Sequence, residues 1–308
     1  MSHPVASPTV RTAPAGIAPM GIAIVTPSLN RRDFLRQTMD WTLAADPGGL
    51  EYVVVDGGSS DGSLEIIRER APRLAGYVSE PDGGLYDAIN KGFARTRGEI
   101  MGWINAGDFL FPDSLAVVRE IFETHPQIEW VTSRVLSFLD EKGRLVEQGV
   151  HQGIARDSFL AGEHLEGFSK GRSASFIQQE STFWRRSLWE RAGGRLDTSL
   201  SLAADFELWH RFFQHALLWS VSAPLGAFRR HADQLSAVQR GEYLAQAESV
   251  LRRHGACPRG AVAQTLSVGL RRSLPRPLRS SATRLGLFQP APLCSFDAGS
   301  QSWRLEWL

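Results

Sequence analysis

Short apolar runs alternate with amphipathic stretches along the first third of the chain. Gly21 to Thr26 is an apolar run that closes on Thr26-Pro27-Ser28, as a buried strand ending in a turn does. Arg31 to Ala44 then carries apolar residues at helical spacing. Glu51 to Val55 holds three consecutive valines, a pattern suited to a strand buried on both faces. Asp61-Gly62-Ser63 opens a second helix, Tyr77 to Ser79 reads as a short third strand, and Tyr86 to Thr96 as a third helix. Residues 99–104 form the next strand and run into Asn105-Ala106-Gly107-Asp108. Strand and helix alternating at these lengths predict a parallel sheet with right-handed crossovers.

Beyond Asp108 the pattern loosens. A helix is predicted over Leu115 to Thr124, with strands at Trp130–Ser133 and Val135–Phe138. Residues 140–175 are Gly-rich and polar and read as loops over a site. Gln178 to Phe183 reads as a strand-like entry to a helix over Trp184 to Ala192. Leu202 to Phe213 is a strong helix, Trp219–Val221 and Leu225–Phe228 read as edge strands, and Gly241 to His254 as the last core helix.

Three divisions follow: residues 1–20 as a Pro-rich, disordered arm, 21–256 as the folded domain, and 257–308 as a basic, amphipathic extension. Within 258–286, six arginines and no acid interleave with leucines, a composition that suits an anionic membrane surface as well as a solvated tail. A content of 43% hydrophobic and 22% charged residues allows a full core in 308 residues. A net charge of +1 supplies no electrostatic case for nucleic acid. Cys257 and Cys294 form no metal or redox motif, and a reducing, cytoplasmic setting is the simplest expectation. No run is apolar for long enough to span a bilayer.

Acids stand where strands end. Open α/β sheets bind ligands at the carboxyl ends of their strands. Asp56 follows the valine strand and precedes Gly57-Gly58, where a carboxylate can accept from a base or a ribose. Asp82 sits in the turn Glu80-Pro81-Asp82-Gly83-Gly84, with Lys91 and Arg97 beyond it. Asp108 is delivered directly by an apolar strand and suits a hard cation that shares its ligands with a diphosphate. Asp205 falls beside the apolar stripe Leu202, Phe206, Trp209 and Phe213, where partial desolvation raises proton affinity and suits a general base. His231 can offer a nitrogen to metal or phosphate. Each also has a plainer structural explanation, as a turn former, a helix-terminal acid or a surface charge.

In their order, five segments resemble the family 2 glycosyltransferases of the GT-A fold: 25–30 (VTPSLN), 54–63 (VVDGGSSDGS), 79–92 (SEPDGGLYDAINKG), 105–108 (NAGD) and 204–209 (ADFELW). Within that family the chain resembles capsular and exopolysaccharide enzymes of the colanic-acid type. The resemblance implies a single Rossmann-like α/β sheet, mixed but mainly parallel, flanked by helices. It implies inverting transfer from a nucleoside-diphosphate sugar, UDP-linked by preference, to a saccharide or polyprenyl-linked acceptor, with Mg²⁺ or Mn²⁺ as cofactor. It implies work in the cytoplasm, including the inner face of the plasma membrane. Donor contacts would come from Thr26, Pro27, Ser28, Asn30, Asp56, Gly58, Asp82, Lys91, Asn105, Ala106 and Gly107. Gln179, Glu180 and Trp209 would meet acceptor or sugar, Asp108 and His231 the metal, and Asp205 would be the base. The departure is Gly107, which stands where many members carry a first acid. The competing expectations are a non-catalytic nucleotide-sugar binder of the same fold and, behind it, a sugar nucleotidyltransferase.

Overall fold

A computed structural model describes residues 20–165, 176–231, 239–256 and 289–307 of the chain. Strands β1 (Ile22–Ser28), β2 (Leu50–Asp56), β3 (Gly76–Ser79) and β4 (Ile100–Trp103) run parallel. Helices α1 (Arg32–Ala44), α2 (Ser63–Arg70) and α3 (Leu85–Phe93) connect them. The apolar residues of β1, β2 and β4 are buried on both faces, as crossover helices require, while Tyr77 on the edge strand β3 is exposed. Val25, Val53 and Val55 join one core layer; Ile22, Ile24, Tyr52 and Val54 join the other. Register aligns Ser28, Asp56 and Ser79 across the ends of β1, β2 and β3.

The remaining strands of this sheet are β6 (Trp130–Ser133), β9 (Thr182–Arg185), β10 (Leu218–Val221), β12 (Pro292–Asp297) and β13 (Ser302–Trp307). The order is β13-β12-β10-β6-β9-β4-β1-β2-β3, and β9 runs antiparallel to both β4 and β6. A second sheet, β5-β11-β7-β8, is built from β5 (Phe109–Leu110), β11 (Gly226–Arg229), β7 (Val135–Leu139) and β8 (Leu145–Val150). Helices α4 (Ser114–Thr124), α5 (Arg156–Leu160), α6 (Arg186–Arg191), α7 (Ala204–His215) and α8 (Arg240–Arg253) complete the described elements. No helix among the described residues is long and apolar enough to cross a membrane.

Four sequence expectations change. Within 140–175, residues 145–150 are a strand and 156–160 a helix, because β8 zips onto β7 through Val135–Leu139. Trp184 belongs to β9, and the helix starts only at Arg186. Both strands read as edges are interior: Leu218–Val221 pairs with β6 and β12, and Gly226–Arg229 with β5 and β7. Residues 292–307, placed by sequence in a separate extension, are strands of the main sheet. The N-terminal arm up to residue 19, the arginine-rich segment 258–286 and Cys257 lie outside the described residues.

The layer under α7 is aromatic. Trp209 stacks on Trp103 (centroids 5.8 Å apart, planes 8° apart) and on Trp130 (5.7 Å, 25°), with Trp184 edge-on at 5.7 Å. Trp103 is the last residue of β4, so this stack seats α7 against the strand that delivers Asp108. Trp130→Ala empties a fully buried site among Trp209, Phe212 and Phe213. It is expected to cost about 3–5 kcal/mol, read as a lower urea midpoint. An unchanged midpoint would show that the layer does not hold α7 in place.

Candidate active site

The ends of β1, β2 and β3 form the first part of the site. Asp56 is fully buried and accepts from the Ser59 amide (3.1 Å), from the Ser59 hydroxyl and from the Ser79 hydroxyl (2.7 Å). Asn30, at φ +50°, donates its amide to Ser59 Oγ (2.7 Å) and accepts from the Ser60 amide (2.9 Å). These bonds join the turns that follow β1 and β2. Gly57 lies directly beneath Asp82: a Cβ on it would stand 2.9 Å from Asp82 Oδ2. Gly58, at φ +83°, packs on Pro81 in the same way. Pro27 is buried in β1, and Ser28 Oγ at its end is a buried oxygen with no hydrogen-bond partner in the protein.

Two donor-site candidates have partners within the protein. The Thr26 hydroxyl is turned into the core against Tyr52 Oη (2.9 Å), because the strand's pleat points it to the α1 side with Ile22 and Ile24. Lys91, near the end of α3, lies against Asp87 (3.2 Å) and Glu80 (3.5 Å), so its charge is answered by acids on and before its own helix.

The second part lies beyond β4. Gly107, at φ +125°, donates its amide to Thr38 Oγ1 (2.8 Å). Asn105 Nδ2 donates to Gln179 Oε1 (3.1 Å), and Gln179 Nε2 donates to the Trp103 carbonyl (2.5 Å). Ala106 is partly buried against the α1 side of the core. Asp108 is buried, and its Oδ1 accepts the Arg229 amide (3.1 Å). Glu180 follows in the turn before β9 and is 2% exposed. Burial pushes both carboxyls well above the usual range, and the charge of Asp108 pushes Glu180 further. Asn105 Oδ1 and Glu180 Oε1 are buried without a hydrogen-bond partner in the protein, as is Ser28 Oγ. Buried orphan oxygens of this kind call for a ligand, water or ion.

Arg229 organises this part, and the sequence concealed it inside the basic run Arg229-Arg230-His231. The residue is 1% exposed. Its Nε donates to the Gly107 carbonyl (2.7 Å), one terminal nitrogen to the Glu141 carbonyl (2.8 Å) and the other to Gln37 Oε1 (2.7 Å). The guanidinium lies over Phe34 at 4.7 Å and near Trp41 at 5.3 Å. His231 packs on the Phe34 ring at 5.3 Å, which brings it to the edge of this cluster.

The third part is Asp205, on the first turn of α7. Part of its surface stays open, yet protein closes around the carboxyl and burial pushes it up to about 6. The Phe206 amide donates to its Oδ1 at 2.7 Å, which opposes that rise. Tyr86 and Tyr243 face it closely enough for its charge to raise their own pKa values further, beyond the effect of burial. Tyr86 opens α3 and donates to the Leu202 carbonyl (2.7 Å), so α7 begins beside the loop that holds Asp82. Glu207 is held by Arg211 and faces away from this group. Trp209 is corrected: it is 2% exposed within the tryptophan stack and presents no face to a sugar.

The sequence profile of Glycosyl transferase family 2 matches residues 23–190. The chain belongs to glycosyl transferase family 2. It is 28% identical over 196 residues to an uncharacterized glycosyltransferase of Mycobacterium tuberculosis, a match covering 60% of this chain and 66% of that one. It is 33% identical over 123 residues to a PGL/p-HBAD biosynthesis glycosyltransferase of Mycobacterium bovis, covering 39% of this chain and 48% of that one. The chain thus spans just under two thirds of the first relative's length, and less of the second. Its fold is similar to the crystal structure of S. aureus TarS, at TM-score 0.53 and 17% identity over 75% of this chain and 42% of TarS. It is similar also to TarS 1-349 in complex with UDP-GlcNAc, at TM-score 0.52 and 18% identity over 70% of this chain and 60% of that one. These are GT-A glycosyltransferases, and the large mixed sheet flanked by helices is the GT-A fold.

In this family 2 chain, Gly107 has a backbone reason. A Cβ there would make only ordinary contacts with Phe34 and Arg229, but φ +125° is strained for any side chain. Restoring an acid by Gly107→Asp is expected to cost about 1–3 kcal/mol, measured by chemical denaturation. A stability equal to the parent's would mean that the turn accepts a side chain.

Proposed function

We propose that this chain is an inverting glycosyltransferase that uses a nucleoside-diphosphate sugar, with a UDP-sugar first in line, and a hydroxyl of a saccharide or polyprenyl-linked saccharide as acceptor. The observation that carries this reading is Asp205. It is a carboxyl raised to about 6 by burial, on a helix that starts beside the nucleoside-side turns and is stacked through Trp209 onto the strand leading to Asp108.

On this reading Asp56, Asp82 and the serines around them receive the nucleoside, and the diphosphate reaches toward Asp108. Asp108, the orphan Oε1 of Glu180 and the nearby His231 offer oxygen and nitrogen to a cation; the oxygens suit Mg²⁺ or Mn²⁺. Among the described residues no three His, Cys, Asp or Glu side chains converge as a ready-made metal site. The donor set therefore fits a cation that takes its remaining ligands from diphosphate and water. Bound there, the cation would stabilise negative charge on the leaving diphosphate. Asp205 removes the acceptor's hydroxyl proton. The freed oxygen forms a bond to the anomeric carbon as the bond to the diphosphate oxygen breaks, and that electron pair leaves with the diphosphate. One displacement from the opposite face inverts the carbon.

Only the carboxylate form of Asp205 can take a proton. The rate is expected to rise with pH through about 6 and level off above it. Asp205→Asn is expected to lower kcat by about 10²–10⁴-fold, measured as nucleoside diphosphate released from UDP-, GDP- and TDP-sugars with a panel of glycoside acceptors. Full transfer by the Asn variant overturns the base assignment. Nucleotide binding without turnover across the panel points instead to a non-catalytic binder. In a second test, calorimetry should show Mn²⁺ binding at least tenfold more tightly with UDP present than without it. Equal affinity would mean that the protein alone builds the cation site.

A further inference from the structure

We propose that Tyr86 is a positioning residue for Asp205: its hydroxyl anchors the chain that leads into the helix carrying the base and so fixes where the carboxylate stands. This rests on the reading of Asp205 as the base. Helix α7 lacks a cap of its own. Its N-cap residue is Ala203, which offers no side-chain acceptor to the first-turn amides. Asp205 is the second residue of that turn, so an uncapped, fraying start would let the carboxylate wander.

Side chains from two other helices meet this need. Tyr86, on the first turn of α3, donates its hydroxyl to the Leu202 carbonyl at 2.7 Å. One hydroxyl thus fixes the chain two residues before α7 begins. From α8, Gln246 Oε1 accepts the amides of Leu202 (3.1 Å) and Ala203 (3.3 Å). Tyr243, on the same helix, faces Asp205 and closes the surround. The Tyr86 ring is 7% exposed and packed in the core, so its hydroxyl is held stiffly. Tyr86 has no hydrogen bond to the Asp205 carboxylate. It acts through the backbone, and its effect on rate must therefore pass through Asp205.

That dependence supplies the test, a double-mutant cycle of Tyr86→Phe and Asp205→Asn. The readouts are steady-state release of UDP from UDP-GlcNAc, UDP-glucose and UDP-galactose with the acceptor panel, and thermal unfolding. Displacing a base by a fraction of its reach is expected to lower kcat about tenfold in Tyr86→Phe, with KM for the donor within about twofold of the parent. In the Asp205→Asn background the same exchange should change kcat by less than about twofold, because no base remains to be placed. Equal losses in both backgrounds, or an unaltered kcat in Tyr86→Phe, overturn the proposal and leave the base assignment standing. Full activity of Asp205→Asn alone removes the base assignment itself, whatever Tyr86 does. If Tyr86→Phe does not fold, the same cycle with Gln246→Met tests the α8 side of this anchor by the same criterion.

Discussion

A carboxylate at the buried end of a strand has to be held, and the way Asp108 is held dictates much of this molecule. Its Oδ1 takes the Arg229 amide, while the Arg229 side chain reaches back to the Gly107 carbonyl. A buried guanidinium is tolerated only when its donors are met. Here α1 answers with Gln37, the turn between β7 and β8 with the Glu141 carbonyl, and Phe34 and Trp41 with their ring faces. The small four-stranded sheet is thereby tied to the end of β4. Strand β11 must lie where it does for one residue to supply both its amide and its side chain to the turn 105–108. The Gly226 position shows how closely it fits: an added Cβ would collide with the Glu180 carbonyl. Asp108, Glu180 and Arg229 are thus packed as one unit.

The two candidate acids, Asp108 and Asp205, sit in different surroundings. Asp108 is enclosed beside another carboxyl and an arginine, a setting that favours it as a fixed ligand. Asp205 is faced by Tyr86 and Tyr243 and takes one short amide contact, and burial raises its carboxyl to about 6. Groups whose environments push them toward different chemistry are a reasonable basis for separating roles. The tryptophan stack keeps the two apart at a set spacing. Trp103 leads into the turn of Asp108, and Trp209 stands one helical turn beyond Asp205.

The sheet was legible because its signals are local. Valine runs mark strands buried on both faces, and an acid after such a run lies at a strand end whatever the tertiary packing. Asp56, Asp82 and Asp108 were therefore found from sequence at the positions the structure gives them. What failed depended on partners distant in the chain. Periodicity showed that Trp209 lies on the apolar face of its helix but not that Trp103 and Trp130 cover that face. The strand pleat, not the motif, decides that Thr26 turns to Tyr52. Strand β8 has mostly exposed residues and little apolar alternation, so only its pairing with β7 reveals it. Arg229 drew no reading of its own, since nothing in its neighbourhood announces Gln37, 192 positions away. Tyr86 read only as a packing residue of α3, because its partner Leu202 is 116 positions away.

Gly107 brings these strands of reasoning together. A glycine where the family resemblance led one to expect an acid suggests a degraded motif when seen alone. In the fold, the turn at φ +125° aims the residue's carbonyl at Arg229 and its amide at Thr38. An L-residue would resist that geometry, and without it Arg229 loses an acceptor and the end of β4 loses its tie to α1. The missing side chain is therefore the condition for this arginine-centred architecture, and the surviving acid is held all the more firmly for it. On the reading proposed here, a cation that would otherwise draw on the first acid must draw on Glu180 and on the donor itself, which couples its retention to the presence of nucleotide.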